Sequence, residues 1–151
     1  MPRDELTELA LDDWFVFSCH PGVSCFNACC RDLNQVLTPY DVLRLKNHLH
    51  MLSRTFLQTY TTRHSGPASG LPVVTFKFDS SAGYACPFVR DTGCFVYPDR
   101  PASCRLYPLA RAISRSRESG EIQEYDVFSQ EDHCKGFKDK NPQTVGQWLA
   151  G

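Results

Sequence analysis

Eight cysteines in a chain of 151 residues restrict the fold more than any other feature of the sequence. This content lies above ordinary usage but below the roughly 8–10% that marks a small disulfide scaffold. The thiols fall into two sequence groups, Cys19, Cys25, Cys29 and Cys30, followed by Cys86, Cys94, Cys104 and Cys134. The function of the chain therefore depends mainly on what these thiols bind or form.

The N-terminal sequence favours reduced thiols. It reads Met-Pro-Arg-Asp-Glu-Leu-Thr-Glu-Leu-Ala, without the apolar core of a secretory signal. No segment approaches the 18 or so consecutive apolar residues of a membrane span. We therefore predict a cytoplasmic protein without membrane contact, in which clustered cysteines bind metal. Four disulfides remain the alternative, because a mature secreted chain would also lack its signal.

The composition is that of an ordinary folded protein. Hydrophobic residues make up 42% and charged residues 22%, and the formal net charge is −1. A nucleic-acid-binding protein usually has an excess of basic over acidic residues or a stripe of basic residues on its surface, so we expect no nucleic-acid partner. The length fits one domain over residues 1–151, with a C-terminal truncation as an open possibility at Gly151.

Periodicity predicts helices first and strands later, an α+β arrangement with N-terminal helices and a small antiparallel sheet. Helices are expected at residues 4–12, from the Thr38-Pro39 cap onward, after Ser53, and from Asn141-Pro142. Strands are expected at 74–78, 84–88 and 94–97, and as a hairpin of 109–117 with 121–128.

Thiolates in this number suit soft metals, either zinc or the iron of iron–sulfur clusters. The vicinal pair Cys29-Cys30 would direct its side chains apart on a strand or a helix. Such neighbours chelate one small ion awkwardly, and they fit better if they contact different metals or different irons of one cluster. We therefore expect the two sequence groups of cysteines to interleave.

Several segments together resemble the YkgJ-type cysteine-cluster proteins, a family described as a zinc- or iron-chelating domain. The resemblance covers about residues 14–149, and its blocks are Phe17-Ser-Cys19, Cys25-Phe-Asn-Ala-Cys29-Cys30, Leu37-Thr-Pro-Tyr-Asp41, Cys86-Pro-Phe88, Gly93-Cys94-Phe-Val-Tyr97, Arg100-Pro-Ala-Ser-Cys104-Arg105 and Cys134-Lys-Gly136. It implies that all eight cysteines are metal ligands around a cysteine-ligated metal centre. It also extends to the larger flagellin lysine-N-methylases.

The spacing of the first cysteines departs from that family. Five residues separate Cys19 from Cys25, and Phe26-Asn27-Ala28 precede the vicinal pair, whereas the family usually has shorter intervals. The longer interval makes His20 a candidate substitute donor, and His133 is another beside Cys134.

Cations beside the thiols are candidates for stabilising the centre. Arg100 and Arg105 flank Cys104, and positive charge near thiolates lowers the cost of gathering them. The alternative is that both are surface arginines with Asp99 as a partner.

These observations predict a cysteine-ligated metal protein with a redox, sensing or modification-support role. We favour an iron–sulfur cluster, specifically 4Fe-4S, and keep Zn²⁺ as the alternative. The partners would be the metal ion or cluster and a redox or protein partner. A lysine-methylating enzyme or a zinc-stapled interaction module remain alternatives, and the sequence leaves open whether the chain is an enzyme.

Overall fold

A computed structural model describes residues 7–151 of the chain. Its helices are Pro39–His48 (α1), Ser53–Tyr60 (α2), Ala102–Leu106 (α3) and Val145–Ala150 (α4). Its strands are Thr7–Leu9 (β1), Trp14–Val16 (β2), Val36–Leu37 (β3), Thr61–Ser65 (β4), Pro72–Phe76 (β5), Val89–Arg90 (β6), Gly93–Cys94 (β7), Leu109–Arg115 (β8), Ile122–Phe128 (β9) and Pro142–Thr144 (β10). The strand pairings are antiparallel, so the predicted α+β class is confirmed.

The chain forms two compact units. The first unit comprises residues 1–25 and 106–151, and the second unit comprises residues 26–105. Each unit has its own hydrophobic cluster. None of the helices in residues 7–151 is long and apolar enough to cross a membrane. The single domain over 1–151 stays a prediction.

The second unit is built around α1, α2 and the sheet β3-β5-β4. Leu45 and Phe56 contribute one buried side chain from each helix, and they pack with Leu37 and Phe76 from the sheet. The apolar spacing of α1 and the β-branched residues of β5 place these side chains on inward faces. The predicted helix from Thr38-Pro39 is confirmed, because Pro39 is its first residue.

A buried carboxylate joins the start of α1 to the start of α3. Asp41 Oδ2 accepts hydrogen bonds from the backbone N–H and the hydroxyl of Thr38, and the Thr38 hydroxyl oxygen accepts the N–H of Asp41, so the two residues form a capping box. Its other oxygen, Oδ1, accepts the backbone N–H of Ala102 at 2.9 Å. One side chain therefore fixes the first turns of two helices.

The first unit contains the sheet β1-β9-β8 and the pair β10-β2. The hairpin predicted around Ser119-Gly120 is confirmed as β8 and β9, with Gly120 at a φ of 73°. Aromatic side chains fill the core, in which Phe17 packs edge-on against Trp148 with ring centroids 5.6 Å apart.

Four local predictions were wrong in whole or in part. Within the segment predicted as a helix over 4–12, residues 7–9 form β1, because they complete a third strand beside β9; residues 4–6 lie outside the described part. Asn141-Pro142 does not open a helix: Pro142 begins an edge strand, and Thr144 caps α4 instead. The strand predicted over 84–88 is displaced to Val89–Arg90, paired across a short turn with β7. The strand predicted over 94–97 ends at Cys94, because the chain turns there and a 3₁₀ helix begins at Tyr97.

The buried position of Asp41 predicts a large effect of its removal. We expect Asp41→Ala to destabilise the protein by about 2–3 kcal/mol, because a helix cap is lost and the Ala102 amide loses its acceptor. Urea unfolding would measure the change, with the exposed turn variant Asp91→Ala as the control. Equal stability of the two variants would contradict this role of Asp41.

Candidate metal centre

The vicinal cysteines lie in a 3₁₀ turn of the second unit, Ala28–Cys30. Asn27 precedes the turn with a left-handed φ of 66°, and its side-chain amide donates to the carbonyl of Arg90. A short polar residue tolerates this conformation better than most others. In the turn the thiol of Cys30 is hydrogen-bonded to Cys29, so the two side chains lie side by side rather than pointing apart.

Backbone contacts bring Cys86 and Cys94 to the same region. The N–H of Cys86 donates to the carbonyl of Cys30 at 2.8 Å. Cys94 lies on β7, opposite Val89 of β6, and the N–H of Phe95 donates to the carbonyl of Phe88. The β6-β7 hairpin thus returns the chain from Cys86, which precedes β6, to Cys94, which lies on β7.

Cys104 completes a group of five thiols in the second unit. It lies on α3, whose first turn is held by Asp41, and its sulfur contacts Gln35 Oε1 at 3.6 Å. We define the second-unit cluster as Cys29, Cys30, Cys86, Cys94 and Cys104.

The thiols of this cluster raise one another's pKa values. The Cys29 hydrogen bond and desolvation raise the pKa of Cys30 far above its usual range, with further repulsion from Cys86 and Cys104. Crowding by protein atoms, with repulsion from Cys86, Cys94 and Cys29, raises the pKa of Cys104 to about 12, although the residue as a whole is exposed. Gathered thiols of this kind require compensating positive charge if they are to become thiolates.

Peptide N–H groups and arginines provide part of that compensation. The amides of Phe88 and Val89 hydrogen-bond to Cys86, and the amide of Val96 hydrogen-bonds to Cys94. The positive charges of Arg90 and Arg100 also lower the pKa values of nearby thiols, Arg90 at Cys86 and Cys94, and Arg100 at Cys94 and Cys104.

Of the two arginines selected from the sequence, the structure brings one to the thiols. Arg100 acts on Cys94 and Cys104, and its guanidinium lies over the Tyr97 ring at 3.9 Å. For Arg105, the described residues show a backbone hydrogen bond to Pro101 and neither a side-chain hydrogen bond nor an ion pair. Its part in binding a cofactor stays a prediction.

Sequence reasoning missed Arg90 and Gln35. Arg90 was overlooked because it does not adjoin a cysteine. The signal that could have indicated it is its place just before the Asp91-Thr92-Gly93 turn, since a hairpin closing there returns the chain from Arg90 to Cys94. No comparable signal marks Gln35, which reaches Cys104 only through tertiary packing.

Asp99 pairs with α1 rather than with Arg100. Its carboxylate contacts the guanidinium of Arg44 and Nδ1 of His48, each at 2.9 Å. His48 is half-buried in this contact and lies edge-on to Phe95. Through these two contacts, Asp99 holds the turn between Cys94 and Cys104 against α1.

The remaining cysteines belong to the first unit. The sulfur of Cys25 accepts the backbone N–H of Lys135 at 3.1 Å, and Cys134 interacts with Cys25. The hydroxyl of Tyr107 donates to Glu131 and hydrogen-bonds to Cys134. Burial and these neighbours raise the pKa of Tyr107 well above its ordinary value, so this phenol remains a hydrogen-bond donor. Cys19 is exposed.

The two candidate histidine donors are engaged with carboxylates of the first unit. His20 Nε2 lies 4.0 Å from Asp139, and its Nδ1 accepts the N–H of Gly22. His133 Nε2 lies 3.4 Å from Glu131. Their substitution for a thiolate stays a prediction.

Thiols are the type of ligand that a soft metal prefers, although the side chains of the described thiols do not point toward one common centre. Residues 7–151 contain no group of three His, Cys, Asp or Glu side chains arranged closely enough to hold one metal ion. In the second-unit cluster, however, repulsion connects all five thiols. Soft donors of one region thus influence one another electrostatically beside cationic and N–H groups.

The fold and the gathered thiols define a small, mixed α+β, cysteine-rich protein. The family model CxxCxxCC, described as "Putative zinc- or iron-chelating domain", matches residues 18–135. Because this match covers most of the sequence, the chain belongs to that family, and the resemblance inferred from the cysteine blocks is confirmed. No curated protein and no solved structure matches the chain. The relation to flagellin lysine-N-methylases stays a prediction.

The contacts of Asp99 predict a pH dependence. Hydrogen bonds from His48 and Arg44 lower its pKa below the ordinary value of 3.8. The contact therefore stabilises the folded protein above pH 3.8. This stabilisation is lost as the pH falls through the lowered pKa that Asp99 has in the folded state. We expect Arg44→Gln to raise the pKa of Asp99, as measured by carboxyl-carbon NMR titration. Arg63→Gln is the control, and an unchanged Asp99 pKa in Arg44→Gln would disprove the contact.

Proposed function

We propose that the five thiols of the second-unit cluster bind an iron–sulfur cofactor and that the protein has a redox function. The family supports cysteine-ligated binding of zinc or iron. The observation that favours iron–sulfur is the gathering of five thiols with two arginines in one unit.

The vicinal pair separates the two metals better than the number of thiols does. Four ligands close a structural zinc site and four thiolates also suffice for a [4Fe–4S] cluster, so either centre would leave one of the five thiols unbound. The larger iron–sulfur core, however, spreads its ligands over several irons. The adjacent sulfurs of Cys29 and Cys30 can then bind different irons.

The surrounding residues would tune such a centre. The amides of Phe88, Val89 and Val96 donate to thiol sulfurs, and hydrogen bonds to sulfur raise the reduction potential of an iron–sulfur cluster. Arg90 and Arg100 add positive charge, which favours the more negative, reduced state. When bound, the cluster would supply one-electron transfer, and this chain would hold it, neutralise it and limit its contact with water.

Anaerobic purification followed by iron, zinc and acid-labile sulfide analysis tests the proposal. We expect iron and sulfide in equal amounts, together with an electron paramagnetic resonance signal after reduction. Zinc without sulfide would contradict the redox proposal, and the protein would then be a zinc-stabilised module. Neither metal, with all thiols oxidised, would contradict metal binding itself.

Replacing one vicinal thiol tests the ligand assignment. We expect Cys30→Ser to lose most of the metal and to unfold at lower urea concentration, because metal binding to such a site contributes to folding free energy. Ala28→Ser is the matched control, since it introduces a hydroxyl into the same turn without removing a thiol. Full metal content and stability in Cys30→Ser would exclude Cys30 as a ligand.

A further inference from the structure

The second unit has an open cleft of about 650 Å³ beside α2. Its lining comes from the helix, from β4 and from the residue that follows β5, and it comprises Arg54, Leu57, Gln58, Thr61, Arg63 and Lys77. None of these residues contributes to the thiol cluster or to the neighbouring arginines described above.

The secondary structure explains why these side chains meet. Arg54, Leu57 and Gln58 follow the i, i+3, i+4 spacing of one helical face. The chain turns from α2 into β4, which contains Arg63, and the N–H of Lys77 donates to the carbonyl of Tyr60 at the end of α2. Cations from three elements are thereby placed around one opening.

The cleft is positively charged and lacks an acidic counterpart. Its lining includes two arginines and one lysine but no carboxylate. Among the residues that the structure describes, Arg54, Arg63 and Lys77 form no ion pair. The carboxylate nearest in sequence to Lys77, that of Asp79, accepts hydrogen bonds from the N–H and hydroxyl of Ser81.

The charge of the whole unit strengthens this local excess. With neutral thiols, the second unit has nine lysines and arginines and five acidic residues, a net charge of +4, and the first unit has seven basic and twelve acidic residues, a net charge of −5. A [4Fe–4S]²⁺ core with four thiolates would carry −2 and would leave the second unit at +2. The overall charge of −1 conceals this separation. An anion approaching the second unit is therefore attracted by the unit as well as by the cleft.

We propose that this cleft binds the phosphate group of a small phosphorylated molecule. Guanidinium groups match the geometry of phosphate oxygens. Three cations also balance the two negative charges of a phosphate ester better than they would match the single charge of a carboxylate. The volume lies within the range of small-molecule sites. Leu57 provides an apolar contact for the organic part of a phosphate ester, beside the cations that bind its phosphate.

Calorimetric titration of the metal-loaded protein with phenyl phosphate, and separately with inorganic phosphate, tests this site. We expect saturable binding that weakens with added salt and is tighter for phenyl phosphate. Each of Arg54→Gln and Arg63→Gln should raise the dissociation constant about tenfold, because each removes a charge-assisted hydrogen bond.

The exposed first-unit variant Arg115→Gln is the control, and it should bind as the unmodified protein does. The absence of saturable heat at millimolar phenyl phosphate, or equal affinity in Arg54→Gln, Arg63→Gln and Arg115→Gln, would overturn the proposal. A preference for inorganic phosphate would overturn the assignment to an ester. Metal analysis of each variant is a separate readout, so a failure here does not depend on which metal the thiols bind.

Discussion

Repulsion among neighbouring thiols, once they ionise, is the constraint that metal binding in the second unit has to meet. Five thiols in one small unit can be ionised together only if positive charge and N–H dipoles face them. The backbone supplies amide donors at Cys86 and Cys94, and the side chains supply Arg90 and Arg100.

The predictable parts of the fold were those encoded by local chemistry. Thr38, Pro39 and Asp41 form a complete helix start within four residues, and the Ser119-Gly120 turn sits between two alternating segments. The cysteine blocks were sufficient to identify the family before the fold was known. In each case the determining residues lie close together in sequence.

The parts that sequence reasoning missed depend on distant residues. Strand β1 forms because it pairs with the edge of β9, which lies more than a hundred residues away in sequence. This pairing outweighs the short helix-like pattern of the β1 residues. The contact of Asp99 with His48 joins positions 51 residues apart, and that of Gln35 with Cys104 spans 69. Periodicity and spacing contain no information about such pairs, so the residues that surround the thiols were harder to predict than the thiols themselves.

The divided carboxylate of Asp41 has a consequence for the order of assembly. Since Oδ2 completes the cap of α1 while Oδ1 accepts the first amide of α3, the folding of α1 also places the start of the helix that contains Cys104. Protein hydrogen bonds therefore offset part of the conformational entropy lost in placing this cysteine. A metal bound at Cys104 would draw less of its binding free energy into ordering this ligand.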